Sequence, residues 1–351
     1  WATSSLTPQI AGGWQRDTDL WNRIFPMDLR PQAHEIIRTW LFSTVVRSHL
    51  EFDCLPWTDV AISGWILDPD RKKMSKSKGN VVTPVDLLAE HGSDAVRYWA
   101  ASGRPGTDTA FDVGQMKIGR RLAIKILNAS RFVLGNGATD TNGAVTQPLD
   151  AALLVNLADL VIKATDAMEN YNYARALELT ETFFWSFTDD YVELVKERSY
   201  GDATDPRTVS ARATLAITLD TLLRLFAPVL PFVTEEVWSW WREGSIHASA
   251  WPTPDDRSPP TTGDAAIPGS VDGRLLGDVA TVLSAIRRVK SEAKVSMKAA
   301  VASVSIHGPQ DLLDRIKMAE PDLASAGRVE SFTYSVGEEM VIRSTLADVT
   351  D

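Results

Sequence analysis

The chain has 351 residues, 44% hydrophobic and 23% charged, with a formal net charge of −10 and one cysteine. That balance describes an ordinary soluble globular protein with room for two or three domains. The lone Cys54 excludes an internal disulfide and a cysteine-based metal site, the acidic total argues against indiscriminate nucleic-acid binding, and no run approaches the ~18 uncharged apolar residues of a membrane span.

The residues from Trp1 to Gln9 have neither the basic start nor the apolar stretch of a secretory leader. The chain opens on Trp with two Trp- and Pro-containing segments, and the expectation is a piece of a longer polypeptide working in the cytoplasm. Positions 1–63 read as the end of an α/β domain. Pro31 stands where a helix tolerates proline, at its first turn, and Ile36, Ile37, Trp40, Leu41 and Val45 follow at helical spacing. Thr58 to Ser63 reads as a short strand.

Positions 64–114 read as a connector carrying a basic loop. Arg71, Lys72, Lys73, Lys76 and Lys78 put five cations within eight residues, separated by Ser75, Ser77 and Gly79. Lysine is a mobile point charge with three donors, so such a loop suits a polyphosphate; a plain solvated basic loop is the alternative. Thr83-Pro84-Val85-Asp86 reads as a helix start, with Gly92 as its stop and a second helix from Ser93 toward Gly103. From Arg71 to Arg131 twelve Lys/Arg face five Asp/Glu, a balance of +7 that leaves −17 for the remainder. A basic island in an acidic protein points to one localised phosphate or nucleic-acid face.

Positions 115–251 read as a helix bundle with short connections, its helices near 113–134, 149–170, 172–199, 206–228 and 231–243. On the first of these, Arg121, Lys125, Asn128 and Phe132 share a face at i, i+4, i+7 and i+11, beside an apolar face of Leu122, Ile126, Ala129 and Val133. Cations beside an aromatic suit phosphates plus a stacked unpaired base; a solvated face with Phe132 half-buried is the competing reading. Positions 252–271 are a proline-rich linker. Positions 272–351 read as a small α/β module: a helical stripe through Leu275, Val279, Val282, Ile286 and Val289, then strands over Val301–Ile306, Val329–Val336 and Glu339–Ile342. Arg287, Arg288, Lys290 and Lys294 form a second basic patch there, either a solvated helix face or a further RNA contact.

The order Lys73-Met74-Ser75-Lys76-Ser77, continued by Lys78-Gly79-Asn80, resembles the second signature of class I aminoacyl-tRNA synthetases, the loop that closes on ATP. The resemblance extends to Trp1-Ala2-Thr3-Ser4-Ser5, to Gly92 through Trp99, to Gly106 through Asp112 and to Leu230 through Trp238. Leu230 through Trp238 resembles the last bundle helix of the Val/Ile/Leu branch, and Arg97-Tyr98-Trp99 with Asp108 and Phe111-Asp112 most resemble its valine-specific members. The resemblance implies the end of a Rossmann-like catalytic domain, the loop-bearing connector, a helical anticodon-binding bundle and the α/β tail. It implies ATP with Mg²⁺ as substrate, no protein-bound metal, valine and tRNA(Val) as partners, and a monomer, though the sequence does not fix oligomeric state.

By the same resemblance, Lys76 and Lys73 are the catalytic cations, and Met74, Ser75 and Ser77 join them at ATP. Trp1, Ile36 and Trp40 line the valine site, with ordinary core packing the alternative for each. Arg121, Lys125, Asn128 and Phe132 face tRNA. The first signature of the class, His-x-Gly-His, does not occur: no two of His34, His49, His91, His247 and His307 are three apart. Without that signature the chain alone is expected not to aminoacylate, and no segment has room for a hydrolytic editing domain. An isoleucine or leucine enzyme, or a non-catalytic tRNA-binding module, is the alternative.

Overall fold

A computed structural model describes residues 2–75, 77, 79–254 and 271–347. The chain divides into two compact units, Trp1–Arg120 with Ala167–Ala174, and Arg121–Asp166 with Arg175–Asp351. Trp1, Lys76, Lys78 and most of the expected proline-rich linker lie outside the described residues.

The first unit opens with α1 (Thr7–Gly12), closed by Gly13 in the left-handed region at φ 72°, and α2 (Thr18–Ile24). Asp17 caps α2 by accepting from the Leu20 N–H at 3.0 Å. Two parallel strands follow, β1 (Met27–Ala33) and β2 (Trp57–Ser63), paired from Met27–Trp57 to Ala33–Ser63. Their crossover runs through a 3₁₀ turn at His34–Ile36, a π turn at Ile37–Leu41 and α3 (Phe42–Phe52), the helical connection that parallel pairing requires.

The expected helix start at Pro31 is therefore wrong. Pro31 lies inside β1, paired with Ala61. Proline biases its predecessor toward extended backbone, and a strand with one partner can spare the missing N–H. The π turn also widens the spacing between Ile36 and Trp40, so the two do not stack along one regular α-helical face. Trp40 is buried, stacked on Trp57 with ring centroids 5.9 Å apart and covered by the Arg30 guanidinium at 3.3 Å.

After β2 the chain makes a second parallel pair, β3 (Ile66–Leu67) with β4 (Thr109–Ala110). Between them lie the basic loop, α4 (Pro84–His91) and α5 (Ser93–Ala101). Thr83 takes the extended conformation of a helix cap without a side-chain bond to the helix, and Gly92, at φ 85°, separates the two helices as the sequence predicts.

The second unit contains the bundle and the C-terminal module. Its helices are α6 (Val113–Gly135, from Arg121 onward), α7 (Pro148–Glu169, to Asp166), α8 (Tyr173–Ser186, from Arg175), α9 (Val192–Ser199), α10 (Pro206–Phe226) and α11 (Pro231–Trp238). A π turn at Phe187–Tyr191 joins α8 to α9 where one continuous helix is expected. Helix α10 is buried almost from end to end, its Leu and Ala positions interleaved with buried Thr208, Ser210, Thr214, Thr218, Asp220 and Thr221. Leu153, Leu157, Phe184, Phe187, Tyr191, Leu215 and Phe226 pack as the core.

One polar network crosses this core. Arg198 on α9 donates from Nη1 to Asp150 Oδ2 at 2.9 Å and from Nη2 to Asp150 Oδ1. Its Nε donates to Asp322 at 2.9 Å. The Tyr191 and Ser210 hydroxyls donate to the same Asp150 carboxylate at 2.7 and 2.6 Å. Burial pushes the Asp322 carboxyl above its usual range, against the pull of Arg198. Asp322 belongs to the C-terminal module, so the network fastens that module to α7, α9 and α10.

The module comprises α12 (Arg274–Glu292), β5 (Val301–Gly308), α13 (Gln310–Met318), α14 (Glu320–Gly327), β6 (Phe332–Val336) and β7 (Val341–Leu346). The strand order is β6-β5-β7, with β5–β6 parallel and β5–β7 antiparallel. The third strand begins at Val341, two residues later than the expected Glu339, and the second at Phe332 instead of Val329.

Candidate functional site

The basic loop is held at its base by a small hydrogen-bonded frame. Asp68 accepts the Lys72 N–H at 2.8 Å and an Asn80 Nδ2 hydrogen at 2.8 Å. Asn80 Nδ2 also lies 3.2 Å from the Lys73 carbonyl, and its Oδ1 accepts the Ser75 N–H at 2.9 Å. A bridge between Leu67 and Lys73 ties the ascending limb to β3. The Lys72 amide, with Asn80 next, holds the Asp68 carboxyl below its ordinary pKa. The two ends of the loop are thus pinned together. Beyond the frame Gly79 sits at φ 68° with open space where a side chain would go, a position that favours glycine.

Lys73 leaves the frame and reaches the segment after β1. Its ammonium lies 2.5 Å from Glu35 Oε2 and 4.3 Å from the centroid of the Trp65 ring. The Trp65 indole donates to the same Glu35 oxygen at 2.9 Å. These two bonds, that of Lys73 first, lower the Glu35 pKa. The Lys73 and Glu35 side chains are 45% and 44% exposed, so the pair is exchangeable. Ser75 Oγ and Ser77 Oγ are 3.3 Å apart, Met74 and Ser75 are half-buried and Ser77 is exposed. Lys76 is outside the described residues. Glu35, Trp65 and Asp68 escaped sequence reasoning, and from sequence Asn80 reads only as the end of the loop signature. The Asp68-Pro69-Asp70 turn signature was the available signal for the frame, while nothing local marks Glu35 as Lys73's partner.

Of the three residues foreseen for an amino-acid pocket, Trp1 is outside the described residues, Ile36 is half-buried and Trp40 is buried. The Trp40 indole donates to the Ser4 carbonyl at 2.7 Å. That bond brings the start of the chain against the β1–α3 crossover.

On α6 the four residues foreseen for RNA do not present equally. Arg121 and Asn128 are exposed. Lys125 pairs with Asp189 at 2.9 Å and lies 5.7 Å from the Trp185 ring. Phe132 is half-buried, edge-on to the exposed Tyr200 at 6.0 Å, with the Lys196 ammonium 5.9 Å from its ring. Leu122, Ile126 and Val133 on the adjacent face are fully buried. Among the described residues no group of three or more His, Cys, Asp or Glu is placed to hold a metal ion, and no helix is long and apolar enough to cross a membrane.

A pinned basic loop beside a parallel-strand unit, followed by a helical bundle, is matched by two family models. Residues 1–112 match tRNA synthetases class I (I, L, M and V), and residues 150–306 match the anticodon-binding domain of tRNA ligase. The chain belongs to the class I aminoacyl-tRNA synthetases. Within that class it is similar to proteins named valine–tRNA ligase. The one from Salinispora tropica is 61% identical over 340 residues, covering 94% of this chain. The one from Thermobifida fusca is 58% identical over 347 residues, covering 98%. The chain spans about 40% of the length of these relatives. Among solved structures, the LeuRS of a ternary complex with tRNA and LeuAMS from Agrobacterium radiobacter K84 shares the fold. The two superpose with a TM-score of 0.60 at 22% identity, over 72% of this chain and 33% of that one.

Proposed function

We propose that this chain supplies the ATP-closing loop and the tRNA-binding bundle of a valine–tRNA ligase that acts in the cytoplasm. ATP with Mg²⁺, valine and tRNA(Val) are its substrates. The segment 1–63 ends the nucleotide-binding domain, 64–114 carries the loop, 115–251 receives the anticodon arm, and 272–351 closes the chain behind the linker at 252–271.

In the reaction, the valine carboxylate attacks the α-phosphate of ATP and pyrophosphate leaves. Negative charge accumulates on the departing oxygens. Lys73 and Lys76 neutralise that charge as the loop closes, so they stabilise the transition state more than bound ATP and raise the rate. Met74, Ser75 and Ser77 complete the loop's contact with the triphosphate, the two serines through their hydroxyls. Trp40 and Ile36, with Trp1, border the valine side chain. Arg121, Lys125, Asn128 and Phe132 face the tRNA.

The observation that carries this reading is the loop frame: a fixed base at Asp68 and Asn80, an open glycine at Gly79, and a lysine held by an exposed ion pair and the Trp65 ring. Such a loop can swing while its ends stay put. The test is a chimera in which this chain replaces the matching segment of the Thermobifida fusca relative. It should keep valine-dependent ATP–pyrophosphate exchange, and Lys76→Ala within it should cost about 10²–10³-fold. A folded chimera whose exchange rate ignores Lys76 refutes the assignment.

A further inference from the structure

In the second basic patch Arg288 and Lys294 are exposed, as on a solvated face, but Lys290 is not. Lys290 on α12 is 1% exposed. Its ammonium donates to the Gly327 carbonyl at 2.7 Å and to the Met297 carbonyl at 3.1 Å. Gly327 is the last residue of α14, so part of this arrangement is a helix C-terminal cap. A cap accounts for two of the three donors of an ammonium. Among the described residues no carboxylate comes within ion-pair distance of Lys290.

The charge around Lys290 is predominantly positive. A cavity of about 400 Å³ opens beside it, bordered by α9, α12 and the end of α14. Lys196, Arg287, Lys290, Lys298 and Arg328 line it, against Glu193 and Glu197, a surplus of three cations in a chain whose net charge is −10. Both carboxylates are engaged: Glu193 with Lys196 at 3.1 Å, and Glu197 with the Ser325 hydroxyl. Arg287 spends one donor on the Asp189 carbonyl at 2.9 Å. Arg328 is held in the left-handed region at φ 53°. Burial, then Arg328 and Arg287, push the Lys290 pKa below the ordinary lysine value. A buried ammonium facing like charges is costly unless an anion completes the site.

We propose that this cavity is a phosphate-binding site, with Lys290 as its buried anchor and Arg287, Lys298 and Arg328 as its other donors. Donors from α12, from the segment between α12 and β5, and from Arg328 just after Gly327 line one cavity, and such a set suits a tetrahedral group with several acceptor oxygens. The volume lies in the range of small-ligand sites, about 300–1,000 Å³, enough for one phosphate with its sugar. The phosphate comes either from the backbone of a bound RNA or from a free anion. The RNA source rests on the tRNA-binding reading above, and the free-anion source does not.

Both sources are read on the whole chain. Inorganic phosphate is titrated in with ³¹P line-width as the signal, and tRNA(Val) affinity is measured against salt concentration. The variants are Lys298→Gln with Arg328→Asn, since asparagine tolerates the left-handed region, and Arg287→Gln alone. Thermal unfolding confirms that each is folded. A free-anion site shows phosphate broadening that falls at least tenfold in affinity in the variants. An RNA site shows a salt slope reduced by about one for each contact removed. Either result supports the cavity. Phosphate broadening and salt slope both unchanged in folded variants overturn it. If the chain binds no tRNA at all but phosphate binding still depends on these residues, the tRNA reading fails while the site stands.

Discussion

Lys73 reaches back 38 residues to Glu35, its ammonium 2.5 Å from Oε2 and 4.3 Å from the Trp65 ring. The lysine proposed to meet pyrophosphate is thus already engaged by an anion of the chain itself. Any polyphosphate must displace Glu35 to recruit it. Replacing Glu35 with Gln removes the competitor while keeping the side chain's length. Pyrophosphate binding to Glu35→Gln should therefore tighten, by a few-fold at most, because an exposed pair is weak. Isothermal titration with pyrophosphate reads this directly; equal or weaker binding would show that the pair does not hold Lys73 back.

The same pair has a pH signature. The Lys73 bond and then the Trp65 indole lower the Glu35 pKa in the folded chain. A carboxyl whose folded pKa is depressed contributes its stabilisation above the unfolded value, about 4.3 for Glu, and loses it as pH falls through the lower folded value. The Trp65 indole N–H bonds that carboxylate, so its NMR resonance should titrate with a midpoint below about 4.3 and lose the transition in Glu35→Gln. A midpoint at or above the ordinary value contradicts the geometry.

Arg198 satisfies two buried carboxylates at once, Asp150 and Asp322. Its own side chain is 7% exposed and those of its partners 0% and 10%. Arg198→Met keeps the aliphatic stem, leaves Asp150 without a counter-charge and leaves Asp322 only the more distant Arg207, at 3.8 Å. Breaking a buried pair in this way costs about 3–5 kcal/mol. Urea unfolding should show that loss in the cooperative transition of the second unit. A loss below about 1 kcal/mol would put the network in the class of exposed pairs.

On α6, Arg121 and Lys125 are not equivalent test sites. Lys125→Glu would set a carboxylate against Asp189, where the ammonium now sits at 2.9 Å. It would disturb the bundle as well as any RNA contact. Arg121 is exposed, so Arg121→Glu isolates the electrostatic effect. tRNA(Val) binding should weaken, and the slope of log affinity against log salt should flatten by about one. Unchanged affinity and slope would remove this face from the tRNA-binding reading.

Local chemistry was legible where the sequence carries punctuation. The α4 start at Pro84, the break at Gly92 and the β2 strand all follow from proline, glycine and alternation within a few residues. The loop was legible as a run of charge, but its frame was not, because Asp68 and Asn80 are twelve positions apart and Glu35 is farther still from Lys73. Pro31 misled because a proline fits a helix's first turn and a singly paired strand equally well; only the pairing with Ala61 decides. Lys290 misled for a related reason. Four basic residues close together in sequence look solvated until α14 arrives from beyond β5 and buries one of them. Helices α13 and α14 themselves went unmarked, being short and flanked by strands whose alternation dominates the segment.

Gly64 sits between β2 and the loop, and nothing in its sequence neighbours announces a constraint. A Cβ placed there would lie 2.2 Å from the Thr107 carbonyl oxygen and 2.5 Å from the Asp108 nitrogen. Both are backbone atoms, so no rotamer change relieves the clash. The approach is close because Ile62–Leu67 and Gly106–Phe111 are laced together. Gly106 N–H donates to the Ile62 carbonyl at 2.8 Å, Thr109 N–H to Trp65 at 2.9 Å and Phe111 N–H to Leu67 at 2.8 Å. The Trp65 N–H in turn donates to the Asp108 carboxylate at 2.8 Å. Gly64→Ala must push these segments apart, at about 1–3 kcal/mol, and the displacement falls on Trp65, which carries Lys73 and Glu35. The variant should unfold at lower denaturant and show a shifted Trp65 indole resonance whose coupling to Glu35 ionisation is reduced. Wild-type stability with an unmoved Trp65 signal would mean that the connector yields elsewhere, and that the loop's position does not depend on this contact.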